Sequence, residues 1–317
     1  MMKDFDTMSH ATRPLRIVFA GTPEAAVPSL DALVASGADV VGVVTRPDAP
    51  LGRKRVLTPS PVARAAAALG LPVVKAARLD EGATQRILAL EPDLGVIVAY
   101  GGLVKEPLLS APAHGWINLH FSLLPKWRGA APVQRALIAG DEVTGAAVFQ
   151  LAQALDAGDV FDELTYRPGP DETAGDVLAV LAESGAGLLA DVVERIGGGS
   201  AVARPQVGEA SLAPKLALAD GLLDLTLAAD AVLARFRGVT PEPGAHTTLG
   251  GERFKIHTAT RGEGDLAPGA VAPVAGGVLI GTATDPLFVD RVQPAGKPAM
   301  RADAWYRGLR GDVELGS

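Results

Sequence analysis

The sequence predicts an α/β protein in which an open, mostly parallel sheet is followed by a small β-barrel. Three observations predict this order. Two apolar runs, LRIVFAG at 15–21 and DVVGVVT at 39–45, flank a segment with apolar residues at helical spacing, which makes a βαβ opening. The same alternation of strand and helix continues to about residue 196, and a right-handed crossover chain of this kind lays its strands parallel. After GGGS at 197–200 the pattern changes to short apolar runs separated by Gly and Pro, as in a small barrel of roughly 110 residues.

The elements follow in order. Residues 1–14 are polar and mixed in charge and read as a disordered lead-in. After the first strand, Thr22 is a candidate cap for the next helix, with Pro23 and Glu24 in its first turn and Gly37 at its end. Residues 46–61 form a polar loop rich in Pro and Arg. Helices are expected over 61–69 and 79–90, and buried strands over 94–100 and 115–121. A short helix at 131–139, a strand pair at 144–151 and 159–166, and a long helix at 173–196 complete the first part. The second part carries a helix over 220–236, strands at 254–258, 269–274, 278–281 and 287–292, and a last helix at 302–309. The boundaries expected are 15–203 for the sheet domain, 204–209 for a linker and 210–317 for the barrel.

Composition excludes some chemistry. There is no cysteine among the 317 residues, so disulfides and thiolate metal sites are ruled out. The five histidines, at 10, 114, 120, 246 and 257, show no ligand-like spacing, and no metal is expected. No apolar run approaches the roughly 18 residues of a membrane span, so a cytoplasmic protein without a membrane partner is expected. The formal net charge of −7 means that any nucleic-acid contact uses a local patch.

The most informative stretch is WINLHFSLLPKWRGAAP at 116–132. On a strand, Asn118 and His120 share one face and Leu119 points into the core. LDAGD at 155–159 then places Asp156 in a loop, where it can face a cleft, and Asp159, which suits turn chemistry. An amide, an imidazole and a carboxylate form a set for acyl transfer to nitrogen. Asn118 and a protonated His120 can donate to the oxyanion, while Asp156 orients the ring, favours its cationic form or takes the amine proton. The bland alternative is a pair of buried polar residues bonded to backbone. The turn FAGTPE at 19–24 lacks the later glycines of a dinucleotide fingerprint, so no nicotinamide cofactor is expected. RPDAPLGRKR at 46–55 carries four positive charges and one negative; it is either a solvated loop or a phosphate contact through Arg53, Lys54 and Arg55, with Lys126 and Arg128 adding to the surface.

From residue 15 to the C-terminus the chain resembles the methionyl-tRNA formyltransferase family. The segments that carry the resemblance are VFAGTPE at 18–24, TRPD at 45–48 through GRKR at 52–55 to PSP at 59–61, NLHFSLLPKWRGAAPVQ at 118–134, and LDAGD at 155–159. It implies a Rossmann-like sheet of the formyltransferase type and an OB-like barrel that holds tRNA. It also implies 10-formyltetrahydrofolate as formyl donor, initiator methionyl-tRNA as acceptor, and Asn118, His120 and Asp156 as the catalytic set. Tyr100, Gly101, Ser122, Leu123, Leu124 and Pro125 would wall the folate pocket. Arg53, Lys54, Arg55 and Arg128 would reach the tRNA, with the enzyme acting as a monomer. Two features depart from the pattern. The stretch VFQLAQA at 148–154 lacks an acidic residue many relatives carry there. From residue 205 onward, eleven Lys and Arg face thirteen Asp and Glu, so the barrel is not basic overall. Other acceptors, such as a sugar nucleotide, glycinamide ribotide or water, share the catalytic set, and a non-catalytic nucleotide-binding protein shares the sheet.

Overall fold

The computed structural model describes residues 13–52, 54–309 and 313–316. Most of the expected lead-in and Arg53 lie outside the described residues. Contacts divide the chain into two units. One comprises residues up to 120 with 146–164 and 182–207; the other comprises 121–145, 165–181 and everything from 208 on.

The first unit is built on a seven-stranded sheet. β1 (Arg16–Gly21) and β2 (Asp39–Thr45) enclose a 3-10 turn at Glu24–Ala26 and α1 (Val27–Ala35). Thr22 is not the cap expected of it. Its hydroxyl donates to the Tyr100 carbonyl at 3.0 Å, and Pro23 takes the extended position before the turn. The polar loop is instead an antiparallel ribbon, β3 (Ala49–Leu51) and β4 (Val56–Thr58). Next come α2 (Pro61–Ala68), capped by Ser60, and β5 (Val73–Lys75), a strand too short to read from pattern. α3 (Glu81–Leu88) is capped by Asp80. β6 (Leu94–Val98) and β7 (Trp116–His120) follow. After β8 (Arg128–Gly129) and α4 (Pro132–Ile138) of the second unit come β9 (Thr144–Gln150), β10 (Val160–Tyr166) and α5 (Ala174–Gly197).

The strand order is β10-β9-β7-β6-β1-β2-β5. The five strands from β7 to β5 are parallel, and β9 runs antiparallel to β7. Every residue of β6 is buried, as befits a central parallel strand covered on both faces. Gly95 is required there. A Cβ on it would lie 2.0 Å from the Trp116 ring, which fills the space and donates from its indole nitrogen to the Leu108 carbonyl at 2.8 Å.

In the second unit, β11 (Leu212–Ala213) pairs with β8. α6 (Ala229–Gly238) packs on α4, close enough that a Cβ on Gly238 would come within 2.5 Å of the Ile138 side chain. Then follow β12 (His246–Leu249), β13 (Glu252–Ile256), β14 (Thr260–Arg261), β15 (Val271–Val274), β16 (Gly277–Ile280), β17 (Leu287–Val289), β18 (Arg291–Gln293), β19 (Met300–Arg301) and α7 (Ala302–Arg307). They form two four-stranded antiparallel sheets, β12-β13-β18-β19 and β14-β17-β16-β15. Phe236, Phe254, Val278, Leu287 and Trp305 lie in one core between them.

Two expected elements differ here. The helix over 220–236 starts only at Ala229, because Leu223 N–H donates to the His246 carbonyl at 2.8 Å and Asp224 accepts from the Thr226 amide in a local turn. The run at 287–292 is two strands on different sheets. Val289 and Val292 are both fully buried, and an odd spacing cannot place both on one face of a continuous strand.

Candidate active site

β7 sets the site. Leu119 is buried and faces α5, where a Cβ on Gly185 would meet its side chain at 3.1 Å. Strand alternation therefore turns Asn118 and His120 to the opposite face, as the sequence predicts. His120 is buried, and Phe149 meets it edge-on, with ring centroids 6.3 Å apart at 89°. Phe149 lies directly across from Asn118 in the β7–β9 register. The Asn118 Oδ1 is buried without a hydrogen-bond partner. Such an orphan acceptor costs roughly 1–3 kcal/mol, and a donor on a bound molecule would remove that cost.

Asp156 is brought to the same place from the loop after β9. Its Oδ2 lies 3.9 Å from His120 Nδ1, and both side chains are almost fully enclosed, at 11% and 6% exposure. The separation is that of an ion pair rather than a direct hydrogen bond. When the ring is protonated, the two unit charges at that distance attract by about 4 kcal/mol at an effective dielectric of about 20. Asp156 has φ 46°, the left-handed region that Asp tolerates better than most residues. The loop is tied to the sheet at its base, where Gln150 N–H donates to the Asp159 carbonyl at 2.8 Å. Asp159 itself is exposed.

The remaining candidates fall in different places. Tyr100 is buried; its hydroxyl donates to the Ala76 carbonyl at 2.9 Å, and burial pushes that hydroxyl's pKa up. The Tyr100 side chain is therefore committed to the interior, and its carbonyl accepts from Thr22. Gly101 is exposed at φ 77°, with its carbonyl accepting from Arg46 at 3.1 Å. In the other unit, Ser122 is fully buried and closes a turn by donating to the Lys126 carbonyl at 2.6 Å. Leu124 and Pro125 are buried and Leu123 is half-buried. The Trp127 indole N–H donates to Asp141 at 2.7 Å, and Lys126 pairs with the same carboxylate at 3.2 Å. Arg128 is half-buried and its amide donates to the Ser211 carbonyl at 2.9 Å.

The β3–β4 ribbon exposes Lys54 and Arg55 at its tip, with apolar Leu51, Val56 and Leu57 more than half exposed beside them. Its base is fixed by Asp48, which pairs with Lys75 at 2.6 Å. Phe149, Gln150 and Gln206 also touch His120, β7 or the Asp156 loop, and the sequence does not mark them. The first two carry no signal beyond their place opposite β7. Gln206 lies in the expected linker. Among the described residues, no group of three or more His, Asp or Glu is arranged to hold a metal ion.

Comparisons with known proteins identify the family. The formyl transferase family model matches residues 15–193, and the model of the formyl transferase C-terminal domain matches 215–310. The methionyl-tRNA formyltransferase of Leifsonia xyli subsp. xyli is 62% identical over 302 residues, covering 95% of this chain and 100% of that protein. That of Clavibacter sepedonicus is 61% identical over 297 residues, covering 93% and 97%. Among solved structures, the N-formyltransferase from Helicobacter canadensis, in complex with folinic acid and dTDP-3-aminofucose, shares the fold. Its TM-score is 0.68 at 14% identity, over 88% of this chain and 99% of that one. With its Rossmann-like sheet, its antiparallel second domain and relatives of this identity over nearly its whole length, the chain belongs to the methionyl-tRNA formyltransferase family of the formyl transferases.

Proposed function

We propose that the chain transfers the formyl group of 10-formyltetrahydrofolate to the amino group of initiator methionyl-tRNA, giving formylmethionyl-tRNA for translation initiation. The observation that carries the reading is the enclosed His120–Asp156 pair beside Asn118, in a chain of this family. The amine attacks the formyl carbon and negative charge develops on the formyl oxygen; collapse of this intermediate breaks the bond from the formyl carbon to N10, and tetrahydrofolate leaves with the proton that the amine loses. The Asn118 amide and the His120 ring are the donors that meet this charge, an effect typically worth a few kcal/mol per donor. Asp156 stabilises positive charge on the ring and is placed to receive the amine proton, directly or through water. The exposed acceptor chemistry falls to the ribbon, where Lys54 and Arg55 are positioned for phosphates and Arg53 adds a third charge in sequence.

In this reading the backbone at Tyr100 and Gly101 and the 122–125 segment contribute the folate wall. Arg128 adds to tRNA binding. Residues 15–203 are the catalytic domain, 204–209 the linker and 210–317 the tRNA-holding domain. The enzyme works in the cytoplasm as a monomer. No described helix is long and apolar enough to cross a membrane. Formyl transfer assayed with methionyl initiator tRNA against methionyl elongator tRNA tests the proposal. Transfer to the initiator in strong preference supports it. Transfer to a sugar nucleotide or to water alone, with neither tRNA formylated, refutes it.

A further inference from the structure

The segment after α5 returns to the sheet edge and reaches the loop that carries Asp156. Arg204 and Val160 exchange backbone hydrogen bonds of 2.8 and 2.9 Å, which lays residues 204–206 alongside the start of β10. Two residues on, the Gln206 side chain forks over the loop. Its Nε2 donates to the Asp156 carbonyl at 2.9 Å and to the Gly158 carbonyl at 2.8 Å. Both protons of one amide group thus hold the two carbonyls that bracket the 156–158 turn. Asp156 is the residue in that turn at φ 46°, a region uncommon for L residues and tolerated best by Asn and Asp, so the two bonds help to hold it there. Its carboxylate faces His120 across 3.9 Å, so a rotation of the turn changes the charge separation directly.

We infer that Gln206 is a positioning residue for formyl transfer, holding Asp156 in the left-handed turn that sets its carboxylate against His120. The inference rests on the assignment of Asp156 as a member of the catalytic set. Gln206 touches neither substrate in this scheme and acts through the main chain of the turn. Its removal therefore lowers kcat and leaves KM for the folate unchanged. The Gln206→Glu substitution keeps the length and shape of the side chain, but an ionised carboxylate turns two acceptors toward two carbonyls. Protonation of that carboxylate restores one donor.

The test is a double-variant cycle in the full-length enzyme, read as single-turnover formyl transfer to methionyl initiator tRNA. Gln206→Ala is expected to lower the rate about 10- to 100-fold, the scale of a displacement of about 1 Å at a reacting group. Asp156→Asn is expected to lower it further. The combined variant should match Asp156→Asn alone, because a residue acting only through Asp156 has nothing left to position. Gln206→Glu should lose most at high pH and recover toward Gln206→Ala or better as pH falls, relative to wild type at each pH. Multiplicative losses in the double variant, or wild-type turnover in a folded Gln206→Ala, overturn the inference. If Asp156→Asn itself keeps full activity, the catalytic assignment has failed, and that outcome is distinct from a silent Gln206 in an enzyme that needs Asp156.

Discussion

Gly158→Ala probes how tightly the Asp156 loop is seated on the sheet. A Cβ built on Gly158 would lie 1.8 Å from the Gln150 carbonyl oxygen and 2.9 Å from its carbon. Real Cβ atoms essentially never approach another heavy atom within 3.0 Å, so the loop and strand must part by at least the 1.2 Å shortfall. Neither side yields easily. Gln150 ends β9, its N–H is bonded to the Asp159 carbonyl at 2.8 Å, and its side chain donates to the Trp116 carbonyl at 2.9 Å. Forced overpacking of this kind costs about 1–3 kcal/mol of stability. The same shift reaches Asp156 two residues away, and a misplacement of about 1 Å costs about 100-fold in rate. Steady-state formyl transfer together with a thermal melt reads both effects. The expected result is kcat lower by about two orders of magnitude, a reduced Tm and little change in KM for the folate. A variant with wild-type kcat and Tm refutes the packing of this loop against Gln150.

Further outcomes follow from other parts of the molecule. Asp176 accepts from the Thr173 hydroxyl at 2.6 Å and amide at 2.9 Å at the start of α5, and these bonds hold its carboxyl below the usual carboxylate range. Asp176→Ala should therefore cost about 1 kcal/mol in urea unfolding at pH 7. A depressed folded-state pKa gives stability above the unfolded value of about 3.9, lost as pH falls through the folded value, so the gap between wild type and variant should close in acid. A gap unchanged at pH 2 contradicts this. The double variant Lys54→Ala, Arg55→Ala should raise KM for tRNA and reduce the slope of log affinity against log salt by about 2, with folate binding intact. An unchanged slope makes the ribbon tip an ordinary solvated surface.

The sequence made the heart of the site legible because β7 is read by its alternation alone. Apolar Ile117 and Leu119 around Asn118 and His120 force the polar pair onto one face, and the strand forms where the pattern places it. What binds the loop was not legible. Gln206 reaches carbonyls 50 and 48 residues away, and no local pattern marks a side chain whose partners are distant main chain. The left-handed turn at Asp156 is hidden for the same reason, since the bonds around it run to Gln206 and Gln150, away from its neighbours in sequence. The ribbon at 49–58 read as a loop because Pro50, Gly52 and exposed Leu51, Val56 and Leu57 show no buried face. In the second domain, the short helix Ala229–Gly238 reads as longer because Leu222, Leu223 and Leu225 continue its apolar spacing, while the backbone of Leu222 and Leu223 pairs with His246 of β12. Apolar spacing reports the burial of Leu223 and Leu225 there, not a helix.

Single-turnover formyl transfer by His120→Ala, with folate binding titrated on the same preparation, most directly tests whether the His120–Asp156 pair beside Asn118 performs the chemistry. Removal of the ring should slow transfer to methionyl initiator tRNA by about 100- to 10,000-fold while folate binds as in wild type. A folded His120→Ala enzyme that transfers formyl at the wild-type rate would contradict it.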